Sequence, residues 1–148
     1  MKGPAVRQGQ AIVEVIIAFA VAVVAILGLV QVATKSVANA GAAKRAAQAT
    51  AYAMEGMEWV TGQKYTVGWA DFWGKTGTWC LNDVEAAVTW LSLPGGNCGS
   101  DVISGTEYTR YMTLAQVSSD ETDVTVSVSW QEGARTAIES QTSKFTTY

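Results

Sequence analysis

The sequence predicts an α+β protein in which a long N-terminal helix, membrane-inserted over its first half, packs by its second half on a small antiparallel sheet. Three observations carry this prediction. Sixteen consecutive residues from Val15 to Val30 lack a polar side chain. No proline interrupts the chain between Pro4 and Pro94, so a helix can continue well past the apolar run. Apolar and polar residues then alternate from Val124 to Trp130, as in a strand with one buried face.

The chain begins with a basic segment, residues 1–9, that contains Lys2 and Arg7 but no acid and ends in Gly9. Basic residues beside an apolar run favour the cytoplasmic side of a membrane. A secretory signal peptide is a competing interpretation, because the small residues at 38–40 fit its cleavage pattern. That pattern lies well past the apolar run, however, and the interpretation leaves Glu14 unexplained.

Glu14 lies at the start of the apolar run. A charged side chain inside a bilayer costs roughly 2.5–3.5 kcal/mol on insertion scales, so such a carboxylate indicates a functional site with a partner. The alternative is that Glu14 lies among the lipid headgroups, where an acid in the first turn of a helix is mildly favoured by the helix dipole.

Residues 9–14, GQAIVE, with the basic leader before them and the apolar run after them, resemble the N-terminus of type IV prepilins and type II secretion pseudopilins. In that family a membrane peptidase cuts after the glycine, the new N-terminal residue is methylated, and a glutamate at the fifth mature position is the hallmark. The resemblance implies cleavage after Gly9, N-methylation of Gln10 and an assembly ion pair for Glu14. Gln10 stands where the family most often has phenylalanine.

The resemblance continues in residues 51–60, which are similar to the end of the long helix of minor pilins, and in residues 124–136, which are similar to their final hairpin. It implies a minor pilin that prepilin peptidase processes and an inner-membrane assembly platform adds to a surface filament. Other pilin subunits would be its partners through the N-terminal helix. Such filaments serve adhesion, motility or DNA uptake.

Three alternatives remain open from the sequence. A type II secretion pseudopilin is the alternative within the same family, and prepilin-like proteins of the tight-adherence type share the glycine-to-glutamate spacing. An alternative of another class is a permanently membrane-anchored extracytoplasmic binding domain, in which exposed tryptophans contact a ligand.

The resemblance also implies a precursor with its N-terminus inside and its C-terminus outside, and a filament at the cell surface after assembly. Cys80 and Cys98, the only cysteines, would then lie in an oxidising compartment and form a disulfide. Closing such a loop stabilises a fold by about 3 kcal/mol on the chain-entropy estimate. Two unpaired buried thiols are the alternative.

The composition excludes several function classes. Without Lys2 and Arg7 the chain has 8 basic and 13 acidic residues, a net charge of −5, so nothing indicates nucleic-acid binding. Histidine is absent, which removes the commonest general base and metal ligand. We therefore predict neither catalytic residues, nor a metal site, nor a cofactor, and not an enzyme.

The predicted helix runs from Gln10 to about Val60, with a membrane half at 10–33 and an extracytoplasmic half at 34–60. About fifty residues at 1.5 Å each far exceed the ~30 Å bilayer core, so the outer half must leave the membrane. One face of that half is apolar and is expected to pack on the sheet. Its members are Ala42, Ala46, Ala49, Ala53, Met57 and Val60.

Residues 61–105 correspond to the segment in which pilins differ from one another. We expect a short helix over Asn82–Leu91, capped by Asn82 or Asp83, and a turn at 94–97. Four tryptophans here are expected to fill a thin core, and a sugar- or surface-binding patch is the alternative. They are Trp69, Trp73, Trp79 and Trp90.

The sheet is predicted within residues 106–148, with strands at 107–117, 123–131 and 134–146. A three-residue loop, 131–133, is expected because it pairs Trp130 with Ala134, Val128 with Thr136 and Val126 with Ile138, which puts Ile138 in the core. Acids at Asp120, Glu121 and Asp123 suggest calcium binding as an alternative to a solvated turn.

Overall fold

The protein is described by a computed structural model that covers residues 8–84 and 88–147. Its contacts divide the chain into two compact units, 1–42 and 43–148. The predicted α+β layout is confirmed, since one long helix precedes a four-stranded antiparallel sheet. The elements are α1 (Gln8–Val67), α2 (Trp69–Trp73), β1 (Gly77–Cys80), a 3-10 turn (Trp90–Ser92), β2 (Thr109–Ser118), β3 (Glu121–Glu132) and β4 (Arg135–Thr146).

Helix α1 extends seven residues beyond the predicted end at Val60, to Val67. It stops before Gly68, whose φ of 81° and ψ of 165° form a backbone conformation that glycine adopts far more readily than other residues. The backbone then turns into α2, where the Phe72 N–H donates to the Gly68 carbonyl at 3.1 Å. Without a proline to interrupt it, the helix continues through four internal glycines, at positions 28, 41, 56 and 62, and ends before Gly68.

In the second unit, the predicted apolar face of α1 packs on the sheet. Ala49, Ala53 and Val60 are fully buried, and Met57 lies partly buried against the same core. Gly56 lies between them at a point of close approach, because a Cβ built there would be 2.9 Å from Arg110 Cδ and 3.0 Å from Val126 Cγ1. Small residues along this face therefore let the helix backbone come close to the strands.

The strands are hydrogen-bonded in chain order, β1-β2-β3-β4. Strand β1 lies in the segment where the sequence showed little periodicity, and it was not predicted. The edge of β1 that does not face β2 is hydrogen-bonded to residues 94–96. The Cys80 N–H donates to the Pro94 carbonyl at 2.9 Å, and the Gly96 N–H donates to the Thr78 carbonyl at 2.7 Å.

The predicted three-residue loop between β3 and β4 is wrong. Glu132 pairs with Arg135, so the loop has two residues, Gly133 and Ala134, and the register sets Trp130 opposite Ala137. Gly133 has a φ of 65°, as the first central residue of a type II′ turn requires. Ile138 consequently pairs with Ser129 on the outer face and is 54% exposed.

The alternation of β3 is confirmed on its inner face. Val124, Val126 and Val128 are fully buried and Trp130 is 5% exposed. The outer face departs from the prediction at one position, because Ser127 is buried rather than exposed to water. Its hydroxyl hydrogen-bonds the hydroxyl of Ser140 on β4 at 2.8 Å, which satisfies the buried group.

The helix predicted over Asn82–Leu91 includes residues 85–87, which lie outside the described residues. On either side the chain is not α-helical, with a turn at 82–84 and a 3-10 turn at Trp90–Ser92. Asn82 lies in the turn at 82–84. Its buried side chain accepts from the Arg110 N–H at 2.7 Å and donates to the Asp101 carbonyl at 2.8 Å.

Candidate functional site

Where the structure describes the first unit, it is helical, and the side chains of residues 11–41 do not pack in a core. Every residue from Ala11 to Gly41 is exposed. An 18-residue window of this helix has a mean hydropathy of 2.9 and none of it is buried, so by length and composition it is apolar enough to cross a membrane. The large apolar side chains exposed here include Ile12, Val15, Ile16, Phe19, Val24, Leu27, Leu29 and Val32.

Glu14 is the one charged residue between positions 11 and 34. It lies on the exposed helix surface beside Val13, Ile17 and Ala18, with which it lines a shallow depression. Within the part of the chain that the structure describes, no ion pair joins Glu14 to another residue. A carboxylate on an apolar helix surface can therefore interact with a group from outside the chain.

The predicted cleavage position lies close to the start of α1. Because α1 begins at Gln8, Gly9 and Gln10 fall in its first turn, whereas residues 1–7 of the leader lie outside the described residues. Cleavage after Gly9, methylation of Gln10 and pairing of Glu14 stay predictions.

Cys80 and Cys98 form the expected disulfide, with an S–S distance of 2.07 Å and a Cα–Cα distance of 4.8 Å. The bond joins the end of β1 to the segment that already pairs with its edge through Pro94 and Gly96. The disulfide therefore fixes this segment along the sheet.

The four tryptophans of residues 61–105 pack or hydrogen-bond within the fold, as the core-filling interpretation predicts. Trp90 is fully buried and stacks on Phe72 with ring centroids 4.8 Å apart, whereas the other three are half-buried. Each indole N–H donates to a backbone carbonyl. The acceptors are Ser119 for Trp69, Ser118 for Trp73, Thr76 for Trp79 and Asp71 for Trp90.

Arg110 joins the chain at residues 81–82 to α1 through hydrogen bonds, and the sequence analysis did not predict this role. It is 1% exposed, and its guanidinium donates to the Leu81 carbonyl at 2.9 Å, to the Tyr52 carbonyl at 2.9 Å and to Glu55 Oε2 at 3.1 Å. The sequence signal for its position is alternation, because Arg110 stands two residues from Tyr108 and two from Met112, both of which are buried.

Tyr108 joins α1 to the sheet near the same end of β2. It is 4% exposed, and its hydroxyl lies 3.1 Å from Gln48 Oε1 and 3.3 Å from the Arg45 carbonyl, to either of which it can donate. Burial of the phenol, reinforced by the negative charge of Glu107, raises the pKa of Tyr108.

The acidic turn before β3 contains an ion pair. Glu121 accepts a hydrogen bond from Lys144 at 2.6 Å, and this bond raises the pKa of Lys144. Asp120 is exposed in the turn itself. Within residues 8–84 and 88–147, no group of three or more acidic, cysteine or histidine side chains is arranged to hold a metal ion.

Comparison with protein-family models, with curated proteins and with solved structures gave no match. The long apolar N-terminal helix, the antiparallel sheet and the disulfide are compatible with a pilin-like fold.

Proposed function

We propose that this chain is a type IV pilin-like subunit, most like a minor pilin, whose N-terminal helix enters the core of a surface filament after cleavage following Gly9. The observation that carries the proposal is a fully exposed apolar helix with a single carboxylate at the fifth position after Gly9.

The exposed apolar surface supports the proposal because it needs a partner. Contiguous exposed apolar patches beyond a few hundred Å² mark membrane or protein interaction sites. The first unit presents such side chains on all sides of the helix, with Phe19 71% and Val24 70% exposed. A bilayer covers all sides of a helix before assembly, and neighbouring helices do so in a filament core.

The carboxylate supports assembly in a defined register. A lone charge buried in an apolar environment costs several kcal/mol, whereas a paired and hydrogen-bonded one is tolerated. In the proposal, cleavage after Gly9 creates an ammonium on Gln10, and Glu14 of an incoming subunit pairs with the ammonium of a neighbour. Helices that are out of register would leave both charges unpaired.

The second unit supports a display role. Trp69, Trp73, Trp79 and Trp90 each donate an internal hydrogen bond, so they do not support the alternative of a ligand-binding domain in which these tryptophans are exposed. The second unit has a hydrophobic core of its own and a disulfide, a bond that persists in the oxidising environment outside the cytoplasm.

The test compares Glu14→Ala and Glu14→Gln with Gln31→Ala, a matched change of an exposed polar residue on the same helix. All three variants are expected to be inserted and cleaved. Only the two Glu14 variants should be missing from sheared surface filaments, because only they lose the charge that pairs with a neighbour. Incorporation of Glu14→Ala at the level of Gln31→Ala would contradict the ion-pair role.

The same preparations separate the two members of the resemblance. A pilin is expected in filaments sheared from the cell surface, whereas a secretion pseudopilin is expected to stay with the envelope fraction in cells that make surface pili.

A further inference from the structure

Gln10 is the residue that the proposed cleavage leaves at the N-terminus, and it departs from the aromatic residue most often found there in the family. It lies in the first turn of α1, two residues after the helix begins at Gln8. Apolar residues follow it at once, and among them Ile12 and Val13 are 63% and 55% exposed. An amide adds nothing to this apolar surface, so a role for it must come from its chemistry.

The start of a helix is an unfavourable place for a new positive charge. The first four N–H groups of a helix have no acceptor within it, and the helix dipole disfavours cations at this end. After cleavage, the ammonium of Gln10 occupies this end, next to a stretch in which Glu14 is the one charged residue between positions 11 and 34. An unpaired ammonium is costly in an apolar environment. The surroundings therefore favour a reaction that neutralises the ammonium before a neighbouring Glu14 binds it.

Glutamine can neutralise its own amine. The unprotonated amine nitrogen attacks Cδ of the side-chain amide, a bond forms between these two atoms, and the side-chain nitrogen leaves as ammonia. One proton of the amine passes to the leaving nitrogen, a five-membered ring closes, and no other reactant is required. The product is pyroglutamate, which has an amide nitrogen in place of the amine and carries no charge, as in other modifications that remove a terminal charge.

We propose that Gln10 is a modification site at which the mature N-terminus cyclises to pyroglutamate, and that cyclised subunits are withheld from the filament. This inference rests on the proposed function, because cleavage after Gly9 creates the amine. Once the ring has closed, Glu14 of a neighbour has no cation to pair with and is left as a lone carboxylate among apolar helices. Cyclisation thus limits the time for which a cleaved subunit is competent to assemble.

N-methylation and cyclisation use the same nitrogen of Gln10. A lactam nitrogen is an amide and no longer acts as a nucleophile, so a cyclised subunit cannot receive the methyl group. Intact mass distinguishes the two products, because methylation adds about 14 Da and cyclisation removes about 17 Da. Gln10→Met is the matched control, since methionine has an amine that can be methylated but no side-chain amide to attack.

The experiment measures the intact mass of the full chain in membranes and in sheared filaments, from cells with an active prepilin peptidase. In membranes, a native species that lacks residues 1–9 and a further mass of about 17 Da should increase with time after synthesis is stopped. Its share should be roughly tenfold lower in filaments, and Gln10→Met should show no such species. The inference is overturned if the native chain loses residues 1–9 without losing ammonia, or if the cyclised share is the same in both fractions.

A second chain separates failure of this inference from failure of the proposed function. A factor Xa site in place of residues 6–9 leaves Gln10 at the N-terminus after digestion in micelles, without prepilin peptidase. Loss of about 17 Da from this chain, together with retention of residues 1–9 in cells, supports cyclisation and contradicts the proposed function alone. Retention of the full mass by this chain after prolonged incubation overturns the inference, whether or not the peptidase cleaves the native chain.

Discussion

Two valines of the chain show how its two units differ. Val24 in the first unit is 70% exposed, whereas Val126 in the second is fully buried between α1 and the sheet. Both units are rich in apolar residues, but among the described residues those of the second unit are covered by residues distant in sequence, whereas those at 11–41 are exposed. In the proposed function, the apolar surface of the first unit serves a partner outside the chain, whereas the buried apolar residues of the second unit stabilise that unit itself.

The tryptophans allow the two units to be followed separately. All six lie between Trp59 and Trp130, within the second unit. Tryptophan fluorescence of the full chain therefore reports on the second unit alone, and membrane insertion reports on the first.

The strongest way to break this comparison is to introduce the same charge into each unit. Val126→Asp should unfold the second unit, because an unpaired buried carboxylate costs several kcal/mol and a domain of this size has a total stability of about 5–15 kcal/mol. Val24→Asp should leave tryptophan fluorescence and its unfolding midpoint unchanged. It should instead lower the membrane-inserted fraction, by the roughly 2.5–3.5 kcal/mol that a central acid costs on insertion scales.

Carbonate extraction of membranes measures insertion, and denaturant titration of the full chain in micelles measures stability. If Val24→Asp shifted the unfolding midpoint of the second unit as far as Val126→Asp does, the division into independent roles would be wrong.

A smaller effect is expected from the disulfide. Cys80→Ser/Cys98→Ser should destabilise the second unit by about 3 kcal/mol, because the native bond limits the unfolded chain over a separation of 18 residues. Membrane insertion of the variant should be normal. Reductant should lower the unfolding midpoint of the native chain and leave that of the double variant where it was, and an equal response of both proteins would contradict this account.

Gly56 and Gly62 of α1 allow a buried and an open position to be compared within one helix. Gly56→Ala should cost about 1–3 kcal/mol, because the new methyl group meets Arg110 Cδ at 2.9 Å, in a side chain that is held by hydrogen bonds. Gly62→Ala meets nothing within 4 Å and should stabilise the second unit by about 0.5–1 kcal/mol through helix propensity. Denaturant titration of both variants checks the opposite signs, and a loss of stability in both would indicate that close packing at Gly56 is not the cause.

The smallest effect is expected at alkaline pH. The folded state raises the pKa of Tyr108 by burying it, so the unfolded chain ionises first as the pH rises. Stability from this group is complete below the ordinary tyrosine pKa of about 10 and is lost as the pH rises through the higher folded value. The difference in melting temperature between the native chain and Tyr108→Phe should therefore shrink from pH 8 to pH 11, and a constant difference would contradict it.

The sequence predicted the features that depend on composition and periodicity. The long helix, its alanine face at Ala49 and Ala53, the inner face of β3 and the disulfide are all confirmed. Each arises from a local pattern or, for the cysteines, from there being a single possible pair.

Features that depend on tertiary contacts were missed. The predicted register of β4 was wrong because it placed Ile138 in the core. Strand β4 is an edge strand, and its inner face needs few apolar residues. Strand β1 has only four residues and owes its place to pairing with β2 and to the segment fixed by the disulfide. No periodicity predicts such a strand. Residues 9–14 of the candidate site were identified from the sequence, whereas Arg110 became evident only from its contacts.

The intact mass of the chain recovered from cells with and without an active prepilin peptidase tests the central claim most directly. The account predicts loss of residues 1–9 in the presence of the peptidase, so that Gln10 becomes the N-terminus, and no loss for a Gly9→Val control. Retention of residues 1–9 beside a peptidase that cleaves an established prepilin in the same cells would contradict it.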